Sequence, residues 1–200
     1  MAYPVITIAR EYGSGGRMIG QRLAQNLELP FYDKELIGLA AHENGYVKNF
    51  FRKMEQKQNL SLVYNLYSNL QFLPESDQEI LAQCQVIREL AEEGPCVIMG
   101  RFANYVLRKR TDCFNVFIHA PIAQRTRRAC EVYGDKTPNL ENAILKKDKE
   151  RSSYYKYLTN QQWTDPHNYH ISLDSGIGLD ASVSLLTELA LNFLEVYPHA

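Results

Sequence analysis

The sequence predicts an α/β sandwich, in which a parallel sheet is covered by helices on both faces. Short apolar runs rich in β-branched residues alternate along the chain with longer segments of helical period. The apolar runs do not alternate with polar residues, which is typical of strands covered on both faces. Strands that alternate with helices form parallel sheets through right-handed crossovers. We therefore expect three layers, helix–sheet–helix.

The apolar runs predict strands at 5–8, 96–99 and 114–118, a weaker one at 169–173, and a short one around 31–33. Helical spacing follows the first strand, with Ile19, Leu23 and Leu27 four residues apart. A second helix covers about 80–90, before Gly94-Pro95, and the last one ends before Pro198.

Two long segments break this alternation. The stretch 34–93 contains no convincing strand, and its length exceeds a simple crossover, so we expect a helical insertion there. The stretch 134–168 is rich in Lys, Ser, Tyr, Asn and Gln and reads as a mobile segment. The chain is otherwise expected to form one domain over 1–200, since about 100–200 residues per domain is usual.

Composition excludes several classes of protein. The chain has 45% hydrophobic residues and a net charge of −1, which argues against disorder and against a surface built throughout for nucleic acid or anionic lipid. The average hides an asymmetry, because residues 101–156 carry +7 and the remainder carries −8. We expect a small anionic partner at this basic segment, and neither nucleic acid nor a membrane.

Cysteine usage and the absence of targeting signals favour the cytoplasm. The sequence has no signal peptide pattern and no apolar stretch near the ~20 residues that a spanning helix needs. Its four cysteines lie far apart with no CxxC pair, so we expect buried free thiols and no metal site.

The most informative segment is the glycine loop after the first strand, Gly13-Ser14-Gly15-Gly16-Arg17-Met18. Glycines let successive N–H groups form a concave anion site, and the following helix adds its positive end. Arg17 supplies a full charge. The alternative is an ordinary strand-to-helix turn, but the composition favours a phosphate site.

This loop departs from the standard phosphate-binding motif GxxxxGK[ST]. No Lys follows the final glycine, and Arg17 or Met18 stands in the place of the hydroxyl that holds magnesium. Arg10 or Glu11, depending on register, replaces the first glycine. The strand–loop–helix context nevertheless matches that motif.

Taken together, the chain resembles the cytidylate kinase-like family of P-loop nucleoside monophosphate kinases. The resemblance rests on an ordered set of segments: ITIAREYGSGGRMIG, PFYDKEL, CVIMGRFANYVL, NVFIHAPIAQRTRR, KKDKERSSYYKY and HISLDS. It implies a P-loop fold with a helical acceptor-binding insertion at 34–93 and a lid at about 134–168. It also implies ATP and Mg²⁺ as donor and cofactor, and a nucleotide acceptor.

The same resemblance assigns residues on the acceptor side. Asp33 would lie near the acceptor nucleotide, although Asp before a helix is equally typical of an N-cap. Arg101 follows a strand at the sheet edge where ligands bind, and would hold the acceptor phosphate. Cytidylate kinases read Asp-Gly-Arg-Asp here, whereas Met99 and Phe102 replace both acids in this chain.

Further basic residues would serve the donor and the lid. Arg125 and Arg128 share one helix face, whereas Arg127 points elsewhere. Lys147 and Arg151 are four residues apart in the lid-like run, and both could face one anion, or simply solvent. We assign catalytic roles to Arg17, with the resemblance implying that it replaces the missing Lys, and to Arg128 and Arg151; Lys147 is assigned to substrate binding.

Two alternatives stay open at this stage. The missing Lys and hydroxyl suit a nucleotide-binding regulator without transfer activity, and Met99 and Phe102 suit a kinase of a non-nucleotide metabolite. Trp163 and the neighbouring tyrosines could stack on nucleic-acid bases, but packing of the lid on the core explains them as well. The oligomeric state is not predicted.

Overall fold

The structure is a computed structural model that describes residues 3–33, 35–37, 75–100 and 102–196. Within these ranges it contains a five-stranded sheet in the order β2-β3-β1-β4-β5, in which every pairing is parallel. The strands are β1 (Val5–Arg10), β2 (Phe31–Tyr32), β3 (Val97–Met99), β4 (Cys113–His119) and β5 (Ile171–Asp174). The predicted parallel sheet is confirmed.

Helices connect the strands. They are α1 (Gly16–Asn26), α2 (Glu75–Glu93), α3 (Ala103–Val106), α4 (Ile122–Glu131), α5 (Leu140–Thr159) and α6 (Leu179–Val196). Two 3₁₀ turns, Pro166–Asn168 and Ser175–Ile177, flank β5. The strands are short and apolar because they are enclosed, and each helix that covers them buries one stripe of apolar side chains.

The sheet separates two apolar cores, which follow from the alternation of side chains along β1. Val5 and Ala9 face a core completed by α2, α3 and α5. Ile6 and Ile8 face the opposite core, formed with α1 and α6. The three-layer α/β/α sandwich with a P-loop-type order of elements is therefore confirmed.

The predicted insertion lies mostly outside the described residues. Of the stretch 34–93, the structure describes the first turn of a helix at 35–37 and the long helix α2, which begins at Glu75. The helical part of the prediction agrees with these pieces. The role of the insertion in acceptor binding stays a prediction.

The stretch 134–168, expected to be mobile, contains the 20-residue helix α5, which buries Ile144, Tyr155 and Thr159. Its mobility and its role as a lid stay predictions.

One expectation needs correction. The cysteines are not all buried, since Cys130 lies on the exposed face of α4. Burial raises the pKa of the Cys96 thiol to about 12 and does the same for Cys113.

Candidate functional site

The glycine loop joins β1 to α1 at the carboxyl edge of the sheet. Gly13 and Gly15 adopt left-handed backbone, with φ of 79° and 81°, and Gly15 is the N-cap of α1. A Cβ at Gly13 would lie 2.7 Å from the carbonyl oxygen of Arg125, so only glycine fits there. The first N–H groups of α1, which begins at Gly16, have no acceptor within the helix. They are available to an anion at the loop.

A buried serine pair supports the loop from below. Ser14 is fully buried, and its hydroxyl donates to the Glu11 carbonyl at 2.9 Å. Its own carbonyl oxygen accepts from the Ser175 hydroxyl, which also lies 3.1 Å from the His119 carbonyl oxygen. Ser175 begins a 3₁₀ turn after β5, and its hydroxyl holds the loop against β4.

A buried ion pair ties the loop to two helices. The Arg125 guanidinium on α4 pairs with Asp148 on α5, lies 3.5 Å from the Glu11 carboxylate, and donates to the Tyr12 carbonyl at 3.2 Å. The Tyr12 N–H donates to Asp148 at 2.7 Å. Arg125 is therefore surrounded by acids and holds the loop in place.

Arg128 lies over the loop on the same face of α4. Its Nη1 donates to the Gly13 carbonyl oxygen at 2.7 Å. A Cβ at Gly15 would lie 3.3 Å from its guanidinium carbon. Because this partner is a neutral carbonyl, the charge of Arg128 is not neutralised by it. Arg127 is exposed on the outer face, as predicted.

Tyr133 follows α4, and its side chain lies close to Tyr12, Gly15 and Arg128 at the glycine loop. Its ring meets that of Tyr12 edge to face, with centroids 6.1 Å apart. Burial raises the pKa of Tyr133, while Arg128 and the Gly15 N–H favour its ionised form and oppose that rise. Its hydroxyl thus lies in the field of the groups that surround the glycine loop.

Arg17 takes a different direction from the one expected. Its Nη2 pairs with Asp33 at 2.7 Å and lies 3.8 Å from Glu35, and the Arg17 side chain is 53% exposed. Asp33 also accepts from the N–H groups of Glu35 and Leu36, at 3.1 Å each, so it caps the helix that begins there. The N-cap interpretation is confirmed, and the substrate roles of Arg17 and Asp33 stay predictions.

A cavity of about 430 Å³ opens beside the loop, on the face of the sheet covered by α3 and α5. It lies at the carboxyl ends of β1 and β3, where ligands bind in open α/β sheets. Aromatic side chains form part of its wall: Phe102, Tyr154, Tyr155 and Trp163. Trp163 and Tyr155 are buried, which supports packing of this segment on the core.

Two cations from α5 enter this cavity. The Lys147 ammonium lies 3.8 Å from the Tyr12 ring centroid and donates to Asp135 at 3.0 Å. Arg151 donates to the Arg10 carbonyl oxygen at 2.9 Å and lies 3.6 Å from Asp148. Burial lowers the pKa of Arg151, and the neighbouring Asp148 opposes this. The expected pairing of Lys147 and Arg151 on one side of α5 is found.

Arg10, the last residue of β1, is a third cation of the cavity and was not assigned from sequence. A Cβ at Gly16 would lie 2.7 Å from Arg10 Cβ, and a Cβ at Gly100 would lie 2.3 Å from its Nη1. The Arg10 side chain thus extends from the start of α1 to the end of β3. The available signal was its position in the standard motif, where it replaces the first glycine.

The structure brings together most of the predicted site. Gly13, Ser14, Gly15, Gly16 and Arg128 meet at the loop, and Lys147 and Arg151 meet in the adjoining cavity. Met18 lies in the first turn of α1, and Arg17 and Asp33 pair with each other. Arg101 lies outside the described residues.

Magnesium has no protein site of its own in the described part of the chain. No group of three or more His, Cys, Asp or Glu side chains is arranged there to hold a metal. The first turn of α1 offers Gly16, Arg17 and Met18, none of which carries a side-chain oxygen, and the Ser14 hydroxyl is bonded to Glu11. These residues do not fit a directly bound Mg²⁺. No helix in the described ranges is long and apolar enough to cross a membrane.

Comparison with known proteins identifies the family of this chain. The model of the cytidylate kinase-like family matches residues 5–177. A cytidylate kinase of Methanopyrus kandleri is 26% identical over 180 residues, which cover 86% of this chain and 84% of the relative.

Solved structures agree on the fold. An uncharacterised protein from Eubacterium ventriosum superposes with a TM-score of 0.71 at 23% identity, covering 96% of this chain and 99% of that one. A gluconokinase from Sinorhizobium meliloti gives a TM-score of 0.56 at 17% identity, with 96% and 97% covered. A shikimate kinase from Bacteroides thetaiotaomicron gives 0.55 at 14%, with 94% and 98% covered. The chain belongs to the cytidylate kinase-like family, and it is a phosphotransferase of kinase type with a P-loop α/β fold.

Proposed function

We propose that this protein transfers the γ-phosphoryl group of ATP to a nucleoside monophosphate, with cytidylate as the favoured acceptor. The observation that carries the proposal is the adjacency of two sites. The glycine loop and the cation-lined cavity share one wall, formed by Arg10 and Tyr12. A phosphate on the loop and a second phosphate in the cavity would lie next to each other.

The donor phosphates would bind at the glycine loop. The N–H groups at the start of α1 and the positive end of that helix favour an anion there. Arg128 adds a full charge whose observed partner is a carbonyl, so its charge is retained for a phosphate. Mg²⁺ would enter on the phosphates of ATP and water, which is its usual mode in kinases.

The acceptor would bind in the cavity. Its volume of about 430 Å³ lies within the range of small-molecule sites, and its walls combine aromatic surface for a base with cations for a phosphate. Arg151 and Lys147 would hold the acceptor phosphate, and Tyr154 and Trp163 would border the nucleoside. The similarity to a curated cytidylate kinase favours cytidylate over other acceptors.

Phosphoryl transfer between the two sites would require little covalent chemistry from the protein. Phosphoryl transfer proceeds through a loose transition state whose charge is spread over the equatorial oxygens, so positioning and charge neutralisation carry most of the catalysis. Arg128 from the loop side and Arg151 from the cavity side would neutralise that charge. Closure of the segment 134–168 over the donor stays a prediction.

A non-nucleotide acceptor is the alternative that one observation favours. Phe102 lines the cavity where the cytidylate kinase pattern has an acid. An apolar ring there removes an acceptor for the exocyclic amine of a base. A phosphorylated metabolite without a base could still bind to Lys147 and Arg151 of α5 through its phosphate.

A coupled assay of ADP formation tests the proposal directly. ATP, Mg²⁺ and each of the common ribo- and deoxyribonucleoside monophosphates are supplied in turn, and we expect ADP formation that depends on a nucleotide acceptor and is fastest with cytidylate. ADP formation only with sugar phosphates or other phosphorylated metabolites would support the alternative acceptor. ATP binding without ADP formation from any acceptor would support a regulator and contradict the proposal.

Arg151→Met links that activity to the cavity. The variant removes the charge and keeps an apolar stem, so we expect weaker saturation by the acceptor with little change in ATP affinity. Arg127→Met on the exposed face of α4 is the matched control and should behave as the parent protein. An unchanged KM for the acceptor in Arg151→Met would place the acceptor elsewhere.

A further inference from the structure

The standard phosphate-binding motif has Gly at its first position and Lys at its seventh. In this chain the structure sets the register, because Gly15 is the N-cap and α1 begins at Gly16. With Gly15 as the sixth residue of the motif, Arg10 occupies the first position and Gly16 the seventh. The cation and the glycine have thus exchanged places.

The contacts of Arg10 explain why the cation and the glycine have exchanged positions. Its Cβ and Cγ lie 2.7 and 2.9 Å from the position that a Cβ on Gly16 would take. A side chain at residue 16 and the stem of Arg10 therefore exclude each other. Gly16 is not among the glycines with left-handed backbone, so its backbone conformation does not require glycine. Glycine is required at this position because the Arg10 side chain occupies the space that a Cβ would take.

The tip of Arg10 lies where the two proposed sites meet. Its Nη1 is 2.3 Å from the position of a Cβ on Gly100, at the end of β3, and its side chain lines the cavity. Arg151 fixes the Arg10 backbone by donating to its carbonyl oxygen at 2.9 Å. The guanidinium thus bridges the ends of two neighbouring strands, beside the first turn of α1.

The electrostatics around Tyr133 agree with this position. Arg10, Arg128 and the N–H of Gly15 each favour ionisation of the Tyr133 hydroxyl and thereby oppose the rise in its pKa caused by burial. Three positive groups from β1, α4 and the glycine loop therefore act on one small region. An anion in that region would interact with all three.

We propose that Arg10 is the cation that binds the terminal phosphates of the donor nucleotide, in the place that the Lys of a standard P-loop takes. The proposal rests on the proposed ATP-dependent function and deepens it. It also assigns to Arg10 the role that the sequence analysis gave to Arg17, whose guanidinium instead pairs with Asp33 at 2.7 Å. A planar guanidinium would hold two phosphate oxygens at once.

Equilibrium binding of ATP tests this directly, since it does not depend on turnover. Arg10→Met keeps an apolar stem against Gly16 and removes the charge. We expect its ATP affinity to fall about 10- to 100-fold, as is typical for the loss of charge-assisted hydrogen bonds. Arg10→Lys, which keeps the charge, should retain more affinity than Arg10→Met. Arg127→Met is the matched control for loss of one positive charge.

A double variant tests the exchange of places. Arg10→Gly removes the stem that excludes a side chain at residue 16, and Gly16→Lys then supplies the cation from the standard position. We expect Arg10→Gly/Gly16→Lys to bind ATP more tightly than Arg10→Gly alone. Circular dichroism and thermal unfolding are recorded for each variant, so that only folded proteins are compared.

The outcomes separate this inference from the proposed function. If the parent protein binds ATP and Arg10→Met binds it equally well, the role of Arg10 is overturned and the proposed function stands. Loss of ATP binding in Arg17→Met, with full binding in Arg10→Met, would return the role to Arg17. A parent protein that does not bind ATP at all would overturn both the function and the inference.

Discussion

Two groups of arginines surround the glycine loop, and they differ in their partners. The floor of the loop is Arg125 with Asp148 and Glu11, in which a guanidinium that is 5% exposed is matched by carboxylates. The rim is Arg128 and Arg151, whose hydrogen bonds go to backbone carbonyl oxygens; Arg151 also lies 3.6 Å from Asp148, which Arg125 already pairs with more closely. Both groups come from the same basic segment of the sequence.

The difference shows which charges hold the fold and which are left for a ligand. An arginine matched by neighbouring acids has no net charge to offer, and removing it leaves those carboxylates without their nearest cation. An arginine bonded to a carbonyl keeps its charge, and in the rim that charge faces the loop or the cavity. The floor should therefore govern stability and the rim should govern phosphate binding.

Breaking the floor should have the largest effect on stability. We expect Arg125→Met to lower the free energy of unfolding by about 3–5 kcal/mol, since it leaves the Asp148 carboxylate, which is only 14% exposed, without its nearest cation. Urea denaturation followed by circular dichroism measures this change. The double variant Arg125→Met/Asp148→Asn removes both charges and still lets residue 148 accept from Tyr12 N–H. It should recover much of the loss, and a double variant as unstable as the single one would contradict this role.

Breaking the rim on the loop side should act on ATP instead. We expect Arg128→Met to weaken ATP binding about 10- to 100-fold, because it removes a charge beside the phosphate cradle. Its free energy of unfolding should change by less than about 1 kcal/mol, as is usual for partly exposed sites. Calorimetric titration with ATP and urea denaturation are measured on the same preparation. A loss of stability as large as that of Arg125→Met would erase the distinction between floor and rim.

Lys147, the other cation that α5 contributes to the cavity, should separate the two substrates. Lys147→Met is expected to raise the KM of the acceptor by about 10-fold, in line with the loss of a single charged contact, with a smaller effect on ATP. Lys147 lies in the cavity and its observed carboxylate partner, Asp135, is outside the cavity lining. Steady-state kinetics with each substrate varied in turn measures both constants. Equal changes in both constants would contradict a separate acceptor site.

The serine beneath the loop should have a smaller effect. Ser175→Ala removes a buried hydroxyl that contacts the carbonyl oxygens of Ser14 and His119, so we expect a loss of about 1 kcal/mol in stability. Thr187→Val is the control, because the Thr187 hydroxyl donates to the Val183 carbonyl oxygen within α6 and lies 3.4 Å from Asn26, at the end of α1 opposite the loop. ATP affinity should fall in Ser175→Ala and not in Thr187→Val.

The exposed face of α4 should have the smallest effect. Cys130 lies on that face, so it should react rapidly with a thiol reagent, while Cys96 and Cys113 stay protonated and protected because burial raises their pKa to about 12. Singly labelled protein should bind ATP as the unlabelled protein does. Protection of Cys130, or loss of ATP binding on labelling, would mean that this face of α4 belongs to the site.

The positions of the strands along the chain and the glycine loop could be predicted because both depend on local sequence. Apolar runs specify strands, and the glycines of the loop specify its backbone. The positions of Arg128, Lys147 and Arg151 follow from helical spacing, once the helices are known. These predictions needed no long-range information.

The position of the Arg10 side chain and the pairing of Arg125 could not be predicted in this way. Asp148 lies 23 residues from Arg125 along the chain. Arg10, at the end of β1, lies against Gly100, at the end of the neighbouring strand β3. Such contacts depend on how α5 and β3 are placed against β1, which local pattern does not specify. Arg17 was assigned to the phosphate by its place in the sequence, but on a helix one residue turns the side chain by about 100°, and its side chain meets Asp33 instead.

The central claim is that the glycine loop and the cavity hold a donor and an acceptor for direct transfer. The most direct measurement supplies ATP labelled in its γ-phosphoryl group together with cytidylate and Mg²⁺, and identifies the labelled products by mass spectrometry. The account predicts labelled cytidine diphosphate and ADP in equal amounts, with much less of both from Arg128→Met. Labelled inorganic phosphate as the only product, or no labelled product from any nucleoside monophosphate despite ATP binding, would contradict it.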